Sequence, residues 1–434
     1  MKIKHFNNSF FLIKTENVKL VCDPWIGEME NTGTWSYPNM SKNKNVLNLI
    51  KPEYIYISHL HYDHFDKKIL KKYKYKKTKI IIKKFKDSRL KNNLNKIGYK
   101  NIIQLEAWES YNLKDIEVTM VPCDTSNSEN IPTEINYDID TSLIIFDKKR
   151  KICFYNNVDN PISLKGIKKL KNYIYKKYNK LDILSAGPRS ASEYPQCFLN
   201  VNRNFEKKRI IEKCIKRTDK IIKILAPKYF IPAGGSYIIY GKYNKLQKYV
   251  AHPTLDQLQS HYKKFKKLKF LNLDCGSSID FSQNKISLNV KYKEKPLTKS
   301  LIKKKYFYEN FKIKEINLAK KFKEAKKNYF NTLEKLKIKK NWTINFYLYD
   351  NLKLKNNKIN KKMSLESVFS LSDEKYKTKS QILNCYLDKK LFTVLLTNKN
   401  FNWNLAIGGS IILMERFPNK FVPDVPFSLN FLKC

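Results

Sequence analysis

The sequence predicts an α/β protein, built as a layered sandwich of strands and helices followed by a smaller α+β domain. Three observations carry that reading. Short apolar runs alternate with helical segments through roughly the first 290 residues. The polar, basic stretch "KYKEKPLTKSLIKKK" (291–305), which contains Pro296, then breaks the pattern. Beyond it, helical periodicity over 309–338 gives way to aromatic, strand-like runs. The domains are therefore drawn at 1–290 and 300–434.

"MKIKHFNNSFFLIKTENVKL" opens the chain. Its apolar patch is broken by Lys14 and Glu16, so it reads as two strands and a turn rather than a secretion signal. "VKLVCDP" (18–24), "EYIYIS" (53–58) and "TKIIIK" (78–83) read as strands, with helices near 66–73 and 86–97. "IEVTMVP" (116–122), "TSLIIFD" (141–147) and "KICFYNN" (151–157) are three more strands joined by turns. A helix over 163–178 precedes the buried strand "LDILSAG" (181–187), and a longer helix over 203–224 precedes "KYFIPAGG" (228–235). In the last third, "WTINFYLYD" (342–350), "LFTVLLTN" (391–398) and "SIILMERF" (410–417) all read as strands.

The formal charge is +47 over 434 residues, and apolar residues make up 42%. That apolar share suits a folded, soluble protein, read as cytoplasmic, and no apolar run reaches the length of a membrane span. Lysine outnumbers arginine by 79 to seven and is spread along the whole chain. A nucleic-acid surface would cluster its cations and favour arginine, so the pattern argues against such a partner. It favours anionic small molecules, which so positive a field attracts. The eight cysteines include no CxxC pair, which argues for free thiols rather than a zinc ribbon or a disulfide framework.

Half of the six histidines fall in "YISHLHYDHFD" (56–66). His59, His61, Asp63 and His64 are four potential ligands within six positions, at the point where a strand delivers the chain into a loop. Packed together without a cation they would repel one another or stay unsatisfied. His59 and His61 can point to one side, while Asp63 and His64, further round the loop, can serve a second metal. Asp66 is placed to cap the following helix.

"HLHYDH" matches the HxHxDH signature of the metallo-β-lactamase superfamily, after a strand and before a helix. The sequence resembles that superfamily over about 1–290, which implies an αββα sandwich. More specifically, "CDPWIGEMENTGTWSYPN", "NNVDNP", "SAGPRSASEYPQCF" and "LAPKYFIPAGG" resemble the catalytic part of the CMP-sialic acid hydroxylase family. The Rieske CxH…CxxH pattern of that family does not occur in this sequence.

The resemblance implies further ligands. Asp159, in "FYNNVDNP", falls where the carboxylate bridging two metals is expected; a turn-forming aspartate beside Pro161 is the competing assignment. No histidine lies between His64 and His252 to supply the ligand usual before the bridge. Asp124 is the first candidate to replace it, with Glu134, Asp138 and Asp140 as alternatives, and a carboxylate there would favour iron or manganese over zinc. His252 is the candidate for the late ligand, while His261 and His5 read as structural. Asp23 of the DPW turn is expected to orient a ligand histidine behind the metal, or else only to shape the turn. Trp35 and Tyr37 are candidates for the substrate wall, with plain aromatic packing the alternative. Arg189 is a candidate anion clamp.

The expected function is therefore a dinuclear hydrolase holding two divalent ions, with Asp63 and Asp159 as its catalytic carboxylates. Its substrate is expected to be an anionic small molecule, such as a nucleotide-linked or phosphorylated sugar. A di-iron oxygenase fed by a separate redox partner is the alternative, and an inactive binding protein is a third.

Overall fold

The computed structural model describes all residues except 27–33, 36–44, 86–87, 124–139, 189–191, 236, 274–275, 283–286, 290–298, 312–315, 339–341, 356–357, 361–362, 373–380 and 399–400. Two sheets lie face to face. The first has eight strands, in the order Ser287–Asn289, Ser278–Asp280, Lys2–Asn7, Phe10–Lys14, Lys19–Cys22, Tyr54–Tyr56, Lys79–Lys83 and Ile102–Leu105. Its last four strands run parallel to one another. The second has seven, in the order Lys269–Phe270, Tyr229–Pro232, Ile183–Ala186, Ile152–Asn156, Ser142–Asp147, Ile116–Val121 and Ser110–Leu113.

Strand alternation explains the layering. Successive side chains of a strand face opposite sides, so a continuous apolar run serves two interfaces at once. In "KIIIK", Ile81 points into the space between the sheets, while Ile80 and Ile82 face the helices outside. In "SLIIFD", Leu143 and Ile145 point inward to meet Phe11, Tyr56 and Met120, while Ile144 faces out. The helix Lys67–Lys72 covers the first sheet with Ile69 and Leu70, and Arg89–Lys96 adds Leu90 and Leu94. The helices Leu164–Tyr178, Arg203–Leu225 and Leu255–Tyr262 cover the second with Ile167, Ile222 and Leu258. The result is the αββα sandwich expected from the sequence.

The last third forms a four-stranded sheet in the order Leu365–Leu371, Trp342–Tyr349, Gln381–Asp388, Leu413–Phe417. The helices Leu318–Lys335, Lys389–Thr397 and Trp403–Gly408 contribute Tyr329, Leu395 and Trp403 to its core. Phe198, Tyr240 and Tyr243, from before residue 250, join the same cluster. "LFTVLLTN" is a correction: it is helix, not strand. Its residues Leu391–Leu396 are all buried, so the segment shows no polar face that would mark helical periodicity. Among the described residues, no helix is long and apolar enough to cross a membrane.

Candidate metal centre

The parallel strands Lys19–Cys22 and Tyr54–Tyr56 end side by side, and Asp23 and the histidine loop leave them at the same edge. Asp66 stops the loop by capping the next helix: its carboxylate accepts from the amides of Lys68 and Ile69 at 3.0 Å each. From the second sheet, Asp140 arrives just before Ser142–Asp147, and Asp159 just after Ile152–Asn156. Val158, beside Asp159, holds a φ of 52°, a strained conformation for a β-branched residue.

These elements bring together two groups able to hold a metal ion, His59–His61–Asp140 and His59–His64–Asp159. His59 Nε2 lies 2.8 Å from His61 Nδ1 and 3.3 Å from Asp140 Oδ1. His64 Nε2 lies 3.1 Å from Asp159 Oδ2 and 3.4 Å from Asp63 Oδ2.

Behind the histidines, a hydrogen-bond relay fixes which ring nitrogens face forward. Asp23 is fully buried. Its Oδ1 accepts from the Ser58 amide at 2.8 Å. Its Oδ2 accepts from Ser58 Oγ at 2.8 Å and faces His64 Nδ1 at 3.0 Å. Having given its proton to Asp23, Ser58 Oγ accepts from His59 Nδ1, 2.9 Å away. Both rings thus use Nδ1–H rearward, and in the neutral tautomers Nε2 carries a lone pair forward. Lone pairs aimed at carboxylate oxygens repel unless a cation lies between them. A proton or a metal ion satisfies that geometry, and the mixed imidazole–carboxylate donor set suits a divalent transition metal.

The electrostatics divide the rings. Burial, then the neighbouring His64 and His61, holds His59 well below the ordinary histidine range, so its Nε2 lone pair is available at neutral pH. Burial also disfavours the charged form of His64, but Asp63, Asp159 and Asp23 together outweigh it and raise the ring well above its usual value. Burial pushes Asp140 up. Asp63 is held below its usual range: burial acts upward, but His64, with His61 and His59, more than offsets it.

Sequence reasoning missed three contributors. Asn8, at φ 45° in the first hairpin, donates from Nδ2 to Asp63 Oδ2 at 2.8 Å. Its carbonyl is itself held by His5 Nε2 at 2.7 Å. Ser58 carries the relay. Thr141 donates to the Ser58 carbonyl at 2.8 Å, tying the strand that follows Asp140 to the histidine loop. The "NNS" hairpin turn is the only sequence signal that could have pointed to Asn8.

His252 joins neither of the two groups found among the described residues. It is buried edge-to-face against Tyr237, with ring centroids 4.8 Å apart, just ahead of the capped helix Leu255–Tyr262. His261, on that helix, pairs at 3.0 Å with Asp219 of the helix Arg203–Leu225. Asp124, Tyr37 and Arg189 lie outside the described residues, as do Glu134 and Asp138. The backbone of Trp35 pairs with Ile238.

Residues 2–172 match the beta-lactamase superfamily domain. With the two-sheet sandwich, that match bears out the metallo-β-lactamase resemblance read from "HLHYDH". Curated relatives include Rieske 2Fe-2S iron-sulfur proteins, so named, from two mycobacteria. One, from Mycobacterium tuberculosis, is 26% identical over 125 residues, which is 28% of this chain and 24% of that protein. Another, from Mycolicibacterium smegmatis, is 28% identical over 105 residues, 24% of this chain and 20% of that protein. The match thus spans at most about a quarter of these relatives' length. Solved structures that match include the metallo hydrolase Igni18 from Ignicoccus hospitalis, at 14% identity and TM-score 0.40, covering 65% of this chain and 99% of that one. The diiron β-hydroxylase CmlA from Streptomyces venezuelae is 13% identical at TM-score 0.40, covering 63% and 53%. An isothiocyanate hydrolase from Delia radicum gut bacteria is 13% identical at TM-score 0.44, covering 65% and 99%.

Proposed function

We propose that the protein is a hydrolase that holds two divalent metal ions and acts on an anionic small molecule. One observation carries the reading. Two donor groups that share His59 open onto a cavity of about 750 Å³, whose lining includes His61, Asp63, Asp140 and Asp159. That volume falls in the range of small-molecule sites, about 300–1,000 Å³. His59, His61 and Asp140 would hold one ion, and His64, Asp63 and Asp159 the other. Bound there, the ions supply hydroxide near neutral pH and polarise the bond under attack.

The chain's own residues do the positioning. Asp23 and Ser58 keep the Nε2 atoms of His59 and His64 forward, and Asn8 holds Asp63 in place. The carboxylates of Asp63 and Asp159 reach the cavity, where they would accept a proton from a reacting group. Trp25 and Tyr237 wall the same space and limit water around a bound substrate. A phosphorylated or nucleotide-linked sugar fits this reading, given the charge of +47.

Asp140 supports a second reading. A carboxylate where a histidine is usual hardens the donor set and favours iron or manganese. With iron, and electrons from a separate donor, the centre would suit oxygenation.

The test is metal analysis of protein purified without added metal, with oxygen uptake measured in the presence of reductant. Two zinc ions per chain and no uptake support the hydrolase, and reductant-dependent uptake with two irons supports the oxygenase. A His59→Ala variant is expected to lose at least the ion held with His61 and Asp140; full metal content in it would sink both readings.

A further inference from the structure

The cavity that opens on the metal centre has a second, oppositely charged side. Its lining includes Lys213 and Arg217, four residues apart on the long helix Arg203–Leu225. That spacing sets both cations on one face of the helix. Arg217 donates from Nη2 to the Ile162 carbonyl, next to the Asn160–Pro161 wall of the same cavity. This anchors one edge of the guanidinium and leaves its other N–H groups for a ligand. Across the space, Leu405, Gly408 and Gly409 come from the far C-terminal segment around the helix Trp403–Gly408. A Cβ added to Gly408 would meet nothing within 4 Å, so the glycine leaves open room on that wall.

We propose that Lys213 and Arg217 bind the anionic group of the substrate, a phosphate or a carboxylate, while its reacting bond lies at the carboxylate-rich metal centre. The inference rests on the proposed action on a small anionic molecule, and assigns that molecule's orientation and the residues that select it. Metal ions at one end and two cations at the other give a ligand with a single anionic group two competing sites. An arginine held in place by a main-chain carbonyl is well suited to the two parallel hydrogen bonds that an oxyanion accepts. The C-terminal segment then works as the opposite wall of the pocket, and its glycines set how bulky the middle of the substrate can be.

Calorimetric titration with phenyl phosphate and with benzoate separates the two oxyanions. Each is titrated into full-length protein stripped of metal by a chelator and, separately, into zinc-loaded protein. Stripped protein is expected to bind at least one probe, and the preferred probe identifies the oxyanion. The Lys213→Gln/Arg217→Gln variant is expected to weaken that binding by about tenfold or more. Lys213→Gln alone, an exposed change that keeps the folded helix, should weaken it severalfold. Gly408→Leu should weaken binding of whichever probe binds, with circular dichroism and melting temperature unchanged. Lys327→Gln, on an exposed helix face outside the cavity, controls for the general positive field. Unchanged binding in the double variant, equal weakening by Lys327→Gln, or binding that needs zinc and ignores Lys213 and Arg217 would each overturn the clamp. Because binding is read in stripped protein, it stands or falls apart from the hydrolase reading, which metal content and turnover decide.

Discussion

Asp23 shows how much of the centre depends on one side chain that faces away from the reacting space. It is fully buried, and burial raises its pKa even though His64 acts in the opposite sense. Its carboxylate nevertheless takes three hydrogen bonds, from the Ser58 amide, Ser58 Oγ and His64 Nδ1. Replacement by asparagine keeps the size but puts an NH₂ donor where an acceptor stood. The ring of His64 then has no reason to keep its proton on Nδ1, and Ser58 loses the partner that makes it an acceptor for His59. Losing such a rearward partner costs about 10- to 100-fold in metal affinity in comparable sites. Asp23→Asn should therefore bind zinc about 10- to 100-fold more weakly, in a competition assay against a chromogenic chelator, with its circular dichroism spectrum unchanged. Wild-type affinity in the variant would mean that the relay does not orient the ligands.

The loops between elements place the remaining carboxylates, and Gly234 packs closely against one of them. It sits at φ +93°, where a side chain strains the backbone, and a Cβ there would lie 3.0 Å from Asp159 Oδ1. Gly234→Ala should destabilise the fold by about 1 kcal/mol or more and lower the metal content by displacing Asp159. Thermal melting and metal analysis of the same preparation check the two effects together. At this scale the sequence was legible wherever a period or a cap was local. The helices at 66–73, 163–178 and 203–224 formed within a residue or two of their expected bounds, and Asp66 caps as its position implied. The strands Leu365–Leu371 and Gln381–Asp388 were not read. "LFTVLLTN" was read as strand because an apolar run with no polar face looks alike in a core helix and a core strand. The histidine loop carried its own signal. The role of Asp140 did not, since it arises only when the second sheet brings residue 140 against His59, 81 positions earlier in the chain. Asn8 and Ser58 depend in the same way on contacts across strands, which no local pattern encodes.

For the molecule as a whole, the question is whether the last third can come apart from the sandwich. Three contacts argue that it cannot. The segment at Cys197–Leu199 pairs with the C-terminal strand: the Leu199 amide donates to the Met414 carbonyl at 2.8 Å, and the Met414 amide to the Cys197 carbonyl at 2.9 Å. Asp388, buried in the C-terminal part, accepts from Lys242 Nζ at 2.6 Å and from Tyr308 OH at 2.7 Å. Phe198, Tyr240 and Tyr243 lie in the same apolar cluster as Trp403 and Phe392. Separating the parts would expose that cluster and leave Asp388 without the cation it faces. Such coupling predicts one cooperative transition, in which zinc release and tryptophan fluorescence change at the same urea concentration. Trp403 is completely buried, and its indole donates to the Leu432 carbonyl at 3.3 Å. Trp403→Ala should cost about 3–5 kcal/mol and move both midpoints down together, although Trp403 is not among the metal-site residues. If fluorescence shifted while zinc stayed bound to a higher urea concentration, the C-terminal part would be an independent unit, and its contribution to the pocket wall would need another explanation.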